Sequence, residues 1–212
     1  APEEFGIAKE TKKILDRCLL SADRERRIIN QMIDFSVIDS GKLPMDYSVF
    51  PVRDLLKNII NASGYSMKSD IVCEVPQDLT FIGDAHKISI VVDSILSNAV
   101  NYSKPPRRVR IIYNSSADDT YHRLAISDNG IGITEAQLDE IFEPFQLADS
   151  DQLSRKYERI GLSLSIAKEY IRMHGGYISV DSVVNEGSTF TIHIPKLPHE
   201  DVNTPESFDM WL

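Results

Sequence analysis

The sequence predicts an α+β fold, a two-layer sandwich with a mixed β-sheet and helices on one face, preceded by one long helix. Three observations support this prediction. Apolar residues recur every three to four positions over the first 40 residues, as in an amphipathic helix. From about residue 45 onward, strand-like and helix-like segments are mixed without strict alternation, which disfavours a doubly wound parallel sheet. With 212 residues, 42% of them hydrophobic, the chain is long enough to bury a core.

The first predicted element is a helix over residues 4–40. At about 35 residues it would be about 50 Å long, which favours a partner along its length. Two interpretations remain open, an ordinary amphipathic core helix or half of a helical hairpin in a dimerisation bundle. Gly41 and Pro44 end the helix, so we place the first domain at residues 1–41. The apolar face consists of Ile7, Ile14, Leu15, Cys18, Ala22, Ile29, Met32 and Ile33.

The remaining elements are expected to form a second domain, which we place at residues 45–197. Helices are predicted near residues 52–63, 85–102, just after 134, and 162–174. Strands are predicted near residues 71–75, 79–82, 109–113, 123–128, 177–183 and 189–194. Residues 198–212 form a separate C-terminal tail, which is acidic and polar except for its apolar last residues.

Composition restricts the possible partners and the compartment. A net charge of −9 argues against a broad nucleic-acid surface, since phosphate backbones would be repelled. Cys18 and Cys73 show no metal or redox spacing, and we expect both to be buried packing residues. The sequence shows no signal peptide and no apolar run near the roughly 20 residues that span a bilayer. We expect a cytoplasmic location for this chain, as a piece of a longer protein that could be membrane-anchored.

A glycine-containing loop follows one predicted strand directly. Asp128 ends the strand, and Gly130 and Gly132 allow the backbone to make a tight, open loop. A carboxylate in that position can accept a hydrogen bond from one edge of a planar base. Seen alone, the Asp-Asn-Gly sequence is also typical of an ordinary turn.

The helix predicted over residues 85–102 carries a second candidate group. The Asn98 side-chain amide can ligate a Mg²⁺ ion that bridges nucleotide phosphates. Tyr102 lies four residues further on, shares the helix face of Asn98 and can offer its ring to an adenine. The alternative for Asn98 is membership of a polar cluster that caps the helix.

A long polar stretch ends at the helix that begins near Leu162. Free backbone N–H groups and the helix dipole make such a helix start a natural anion site. Arg155, Lys156 and Arg159 supply positive charge beside it. The alternative is a solvated surface loop.

In their order and spacing, these segments resemble the sensor histidine kinases of the GHKL ATPase superfamily. The resemblance covers about residues 4–196, and residues 35–43 are similar to the second helix of the family's dimerisation and phosphotransfer domain. Five segments match in family order, namely the N box Ser97–Val100, the adenine-reading glycine box Asp128–Ile133, the F box Ile141–Phe145, the second glycine box Gly161–Ala167 and the last glycine box Gly187–Phe190.

The resemblance implies a Bergerat-type ATPase fold that binds ATP and Mg²⁺. Asp128 would accept a hydrogen bond from the adenine amino group, and Asn98 would hold Mg²⁺. Tyr102 would pack against the adenine, above a floor shaped by Gly130 and Gly132.

The same resemblance implies roles around the ATP lid. Phe142 and Phe145 would anchor the lid, and Gly161 would pass its backbone close to the phosphates, with Leu162 and Thr189 completing the nucleotide-binding set. The implied chemistry is transfer of the γ-phosphoryl group to a histidine imidazole, for relay to a cognate response regulator. A homodimer is the implied assembly of the full-length protein.

The chain departs from the family pattern at several positions. Ser94 stands where a second Asn is usual, and Asn101 stands where a phosphate-facing cation is common. Arg159 and Ser163 replace two glycines of the second glycine box, although Arg159 could supply the charge missing at 101. None of the five histidines lies on the first helix in the pattern of a phosphoacceptor, so we expect that histidine upstream of residue 1.

Three hypotheses follow from these matches and departures. The first is a competent histidine kinase domain, which the intact Asp128 loop and Asn98 favour. The second is a degenerate nucleotide-binding or dimerising module that regulates a partner without catalysis, which the altered lid box favours. The third, an ATPase of the mismatch-repair or gyrase type, is disfavoured because the long helix precedes the predicted ATPase domain.

Overall fold

A computed structural model describes residues 9–39, 43–115, 120–146 and 161–197 of the chain. The chain divides into two compact units, residues 1–43 and residues 44–212. Each unit is described by itself below.

The first unit contains helix α1, Lys9–Asp39, as the apolar repeat predicted. The large apolar side chains of α1 stay open to solvent in this single chain, with Ile14 60% and Leu19 65% exposed. Cys18 is exposed on the same helix, so the prediction of a buried Cys18 was wrong. The reason is that the apolar residues around Cys18 on α1 are themselves exposed, so they do not bury its thiol. None of the helices in the described ranges combines the length and apolar character needed to cross a bilayer.

The second unit mixes helices and strands in the order that the sequence predicted, with one strand added at its start. Its helices are α2 Val52–Ala62, α3 Ala85–Tyr102, α4 Glu135–Leu138 and α5 Ser163–Met173, with a 3₁₀ turn at Tyr65–Met67. Its strands are β1 Ser48–Pro51, β2 Asp70–Glu74, β3 Thr80–Gly83, β4 Arg108–Tyr113, β5 Tyr121–Asp128, β6 Tyr177–Val183 and β7 Gly187–Pro195.

Five of these strands form one mixed sheet in the order β2-β4-β5-β7-β6. Strands β2 and β4 run parallel, whereas the other neighbours are antiparallel. Strands β1 and β3 make a separate antiparallel pair. The mixed sheet was predicted, but β1 was not, because four residues ending in Pro51 give too short a pattern to identify.

Helices α3 and α5 pack against each other and against the sheet. Alternate residues of the central strands are fully buried, as expected of a face covered by helices. The result is a helical layer over one sheet face, with the C-terminal end of α3 close to the C-terminal end of β5, since Ser103 pairs with Gly130. The core includes Val91, Ile95, Leu96, Ile111, Leu124, Ile126, Ile171 and Ile192.

His122 belongs to a half-buried aromatic group between β5 and the β1–β3 pair. Its ring stacks on Phe81, with the centroids 4.4 Å apart, and its Nδ1 lies 2.9 Å from the Tyr113 hydroxyl. Burial, with a smaller contribution from Lys196, lowers the pKa of His122 from 6.5 to about 4.

We therefore expect the free energy of unfolding to decrease as the pH falls from 6.5 toward about 4. In that window the unfolded chain binds a proton at His122 and the folded chain does not, so stability present above pH 6.5 is lost. Urea unfolding from pH 7 down to pH 5 should show a shallower decline for His122→Phe than for the wild type. The exposed His86 gives the matched control, His86→Phe, and equal slopes for the two variants would contradict the prediction. Some slope remains in His122→Phe because burial also lowers the pKa values of His174 and His193.

Candidate functional site

One cavity in the second unit brings together five residues that the sequence selected from distant segments. They are Asn98 and Tyr102 from α3, Asp128 from the end of β5, Gly132 from the loop after it, and Gly161 from the approach to α5. Both Asn98 and Tyr102 line it because they lie one turn apart on the same helix face. The other lining residues are Ile131, Ile133, Gln137, Glu140, Ile141, Gln146, Ser163, Leu164, Ser188 and Phe190.

Asp128 is held in place by the backbone around it. Its Oδ1 accepts a hydrogen bond from the Gly130 N–H at 2.7 Å. Burial raises the pKa of Asp128, and hydrogen bonds from the backbone N–H groups of Gly130 and Ser188 offset part of that rise. A fixed carboxylate in a cavity wall can accept a hydrogen bond from a ligand N–H group.

The loop after Asp128 requires glycine for two separate reasons. A Cβ on Gly130 would lie 2.5 Å from the Asp128 carboxylate. Gly132 has φ +71°, and a Cβ there would lie 2.2 Å from the Val183 carbonyl oxygen. The loop therefore packs directly on the β6–β7 turn, where the Asn185 N–H also donates to the Ile131 carbonyl at 2.7 Å.

Asn101 stands where the family commonly has a phosphate-facing cation. Its side chain lies along α3, the helix to which it belongs. Its Nδ2 donates a hydrogen bond to Ser97 Oγ at 3.2 Å, one turn earlier on α3. Asn101 is not among the described residues that line the cavity. The Asn101 amide therefore does not take the place of the cation that the family commonly has at this position.

The described residues on either side of segment 147–160 lie close together at the edge of the cavity. The Phe145 N–H donates to the Gly161 carbonyl at 2.9 Å, and Gln146 and Gly161 both line the cavity. Gly161 has φ +75°, and a Cβ there would lie 2.5 Å from the Gln146 carbonyl oxygen. This glycine is therefore required by the close crossing of two chain segments. Arg155, Lys156 and Arg159 lie outside the described residues.

Several predicted site residues do not line the described cavity. Gly130 and Phe142 lie beside it, with the Lys168 amino group 5.8 Å from the Phe142 ring centroid. Phe145 is 60% exposed, with a positive φ. Leu162 is only 1% exposed and lies in the core, while Leu164 lines the cavity.

Thr189 also does not line the described cavity, and its neighbour Ser188 does. The Thr189 hydroxyl lies 2.9 Å from the Ser127 hydroxyl across the sheet. Since side chains alternate along a strand, residues 188 and 189 must point to opposite faces of β7. Counting alternation back from the buried Phe190 would have identified Ser188 from the sequence.

Sequence reasoning also missed the apolar walls of the cavity and the contribution of α4 to its lining. The walls combine branched aliphatic side chains with the aromatic rings of Tyr102 and Phe190, a surface suited to a flat, weakly polar ligand group. On α4, Thr134 and Gln137 form a capping box, in which the Gln137 side chain accepts from the Thr134 N–H at 3.0 Å. The capping box fixes the direction of a helix that contributes Gln137 to the cavity, and its Thr-x-x-Gln pattern was visible in the sequence.

The family profile described as histidine kinase-, DNA gyrase B-, and HSP90-like ATPase matches residues 83–198. That match covers more than half of the chain and includes every described residue that lines the cavity. The chain belongs to this ATPase family. The cavity thus lies within the matched ATPase domain, and the predicted fold class is confirmed.

The GHKL chain is similar in sequence to sensor histidine kinases. It is 32% identical over 194 residues to the sensor histidine kinase GacS of Pseudomonas protegens, a match that covers 87% of this chain and 21% of that protein. The chain therefore spans about a fifth of the length of this curated relative. The likeness identifies the ATPase catalytic domain of histidine kinases, and it does not favour the degenerate module.

Solved structures show the same fold. The histidine kinase AdeS of Acinetobacter baumannii superposes with a TM-score of 0.69 at 20% identity, covering 89% of this chain and 85% of that chain. Full-length ShkA in complex with AMPPNP superposes with a TM-score of 0.69 at 18% identity, covering 91% of this chain and 40% of that chain.

Proposed function

We propose that this GHKL domain binds ATP with Mg²⁺ and transfers the γ-phosphoryl group to a histidine on a helix that precedes α1 in a longer protein. The observation that carries the proposal is that Asp128 and Asn98, chosen from separate segments, line one cavity within the family match. Phosphoryl transfer to a histidine depends mainly on positioning and charge neutralisation, which such a cavity can provide.

The base end of the nucleotide fits the described wall. Asp128 would accept from the adenine amino group, while Tyr102, Ile131 and Phe190 would offer apolar surface to the ring. In the ShkA complex the ligand is AMPPNP, an analogue of ATP, and that protein shares this fold. We propose that this chain binds a nucleotide of the same kind.

The residues present also fit a magnesium ion. Mg²⁺ prefers oxygen ligands and commonly takes one or two side chains together with substrate phosphates and water. The Asn98 side-chain oxygen is such a ligand, and it lies in the same cavity as Asp128. When bound, Mg²⁺ would neutralise charge on the phosphates.

The phosphate end calls for additional positive charge. The described lining carries the carboxylates of Asp128 and Glu140. Arg155, Lys156 and Arg159 lie in sequence between Gln146 and Gly161, which both line the cavity, and we propose that they bind the phosphates. These three residues would also provide the positive charge that the uncharged Asn101 lacks.

The partners follow from the proposed reaction. The exposed apolar face of α1 would pair with the same helix of a second copy and with the histidine-bearing helix, in a homodimer. A cognate response regulator would accept the phosphoryl group from that histidine. We propose a cytoplasmic location for this part of the protein, and no nucleic-acid partner.

A direct transfer assay tests the proposal. The chain is incubated with the upstream histidine-bearing segment and γ-labelled ATP, and we expect acid-labile phosphate to form on that segment. Asn98→Ala should reduce the initial rate by at least about 100-fold, because the metal that neutralises the phosphates loses its protein ligand. Asn58→Ala, at an exposed position on α2, is the matched control and should behave as the wild type. Tight ATP binding without any labelled histidine would instead support a non-catalytic module.

A further inference from the structure

A buried polar cluster lies at the opposite end of α3 from the candidate site. It consists of Tyr47, Asp84, Lys87 and His174, and we name it the corner cluster. Asp84 is the N-cap of α3, about 14 residues or about 20 Å along the helix from Asn98. At that distance the corner cluster cannot contact a nucleotide held by Asn98 and Asp128.

Asp84 is the centre of the corner cluster. Its residue is 3% exposed, and its carboxylate accepts from the Lys87 N–H at 3.0 Å and the Asp46 N–H at 3.0 Å. It also forms an ion pair with the Lys87 amino group, which is itself largely buried. Burial acts to raise the pKa of Asp84, but these hydrogen bonds outweigh burial and lower it, so the carboxylate is ionised.

His174 joins the corner cluster to the C-terminal end of α5. Its Nε2 lies 2.9 Å from the Asp84 N–H, and its Nδ1 lies 2.6 Å from the Tyr170 carbonyl oxygen. Because the carbonyl can only accept, Nδ1 carries the hydrogen and Nε2 accepts from Asp84. This neutral tautomer is the form that satisfies both contacts. Gly83 leaves room for the ring, since a Cβ there would lie 2.9 Å from His174 Cδ2.

The corner cluster holds the first residues of the second unit. The Lys87 amino group donates to the Pro44 carbonyl at 2.8 Å, and the Asp46 N–H donates to Asp84. Tyr47 is 7% exposed, packs its ring 5.6 Å from that of His174, and donates to the Met173 carbonyl at 3.4 Å. Residues 44–47 are thereby tied both to the start of α3 and to the end of α5.

We propose that the corner cluster fastens residues 44–47 to the two helices that line the nucleotide cavity, and that Lys87 is a positioning residue for phosphoryl transfer. This inference rests on the proposed function. Phosphoryl transfer requires the ATP-binding domain to approach the phosphoacceptor histidine in a narrow range of orientations. The chain enters this domain at residues 44–47. A fixed segment would limit how freely the domain turns at the point where the chain enters it. Lys87 is the member that bonds both to Asp84 and to the Pro44 backbone.

The test uses Lys87→Met in the longer protein that carries the phosphoacceptor histidine. Methionine keeps most of the buried stem but removes the ion pair and the bond to Pro44. We expect amide hydrogen exchange in residues 45–47 to accelerate by about tenfold. We expect the rate of histidine phosphorylation at saturating ATP to fall about fivefold or more, while the ATP Kd stays within about twofold of the wild type. Lys57→Met is the matched control, because Lys57 is 62% exposed on α2.

Each outcome decides the proposal. Unchanged exchange in residues 45–47 would show that Lys87 does not fasten this segment. Faster exchange with an unchanged phosphorylation rate would remove the positioning role, as would a rate loss matched by an equal weakening of ATP binding. If Lys87→Met does not fold, Lys87→Gln, which keeps an N–H donor for Pro44, is measured in the same way and should show a smaller defect. A wild type that binds ATP but forms no phosphohistidine would reject the proposed function, and the exchange measurement would then decide the fastening alone.

Discussion

Asp128→Asn is expected to weaken ATP binding by about 30- to 150-fold while leaving the fold intact. The substitution replaces a carboxylate oxygen by an amide NH₂ group, so that one hydrogen bond to the adenine amino group becomes a contact between two donors. Losing a buried hydrogen bond to a charged group costs about 2–3 kcal/mol, which corresponds to this change in affinity. Asparagine can still accept from the Gly130 N–H through its remaining oxygen, so the loop should keep its conformation. Isothermal titration calorimetry measures the affinity, and circular dichroism checks the fold.

A matched control for this variant is Asp181→Asn. Asp181 lies exposed on β6, within the same sheet, and has no place in the cavity lining described above. It should bind ATP as the wild type does. Retained ATP affinity in Asp128→Asn, or an equal loss in both variants, would remove Asp128 from the adenine site.

The pH dependence of binding gives an independent check on the same carboxylate. Burial raises the pKa of Asp128 in the free protein, and the ionised carboxylate is the stronger acceptor for the adenine amino group. Binding therefore releases a proton where Asp128 is partly protonated, and the ATP affinity should rise with pH until Asp128 is fully ionised. The decline on the acid side should begin at a higher pH than an ordinary aspartate would give. Asp128→Asn should lack this part of the pH profile.

Much of the fold could be predicted because its local signals agree with its packing. The bounds of α3 come directly from an apolar repeat that begins after the N-cap Asp84 and ends before Ser103. The loop after β5 was identified from Asp128 and the glycines that follow it, because glycine permits the tight backbone that this loop adopts. In both places the sequence alone contains the physical cause of the structure.

The rest of the site depends on contacts that no short segment specifies. The apolar walls include residues such as Ile141 and Leu164, which come from the segment after α4 and from α5 and meet only in the folded domain. Leu162 and Leu164 are the same type of residue only two positions apart, yet Leu162 lies in the core and Leu164 lines the cavity. The corner cluster was missed for the same reason, because Asp84 and His174 lie 90 residues apart in the chain. Long-range pairing of this kind leaves no periodic signal.

The largest loss of stability is expected from Gly132→Ala, and the chain contains its own control in Gly64→Ala. Both glycines have similar positive φ angles, +71° for Gly132 and +61° for Gly64. A left-handed backbone costs an alanine about 1–2 kcal/mol, which is the whole effect expected at Gly64, where an added Cβ meets nothing within 4 Å.

At Gly132 an added Cβ would lie 2.2 Å from the Val183 carbonyl oxygen, a backbone atom that cannot rotate away. Displacing the β6–β7 turn adds about 1–3 kcal/mol of overpacking to the backbone strain, for a total of about 2–5 kcal/mol. Urea unfolding of the two variants should therefore separate the steric contribution from the conformational one. Similar losses in both would show that the loop after β5 is not held against the β6–β7 turn, and the cavity would then lack the fixed floor on which recognition by Asp128 depends.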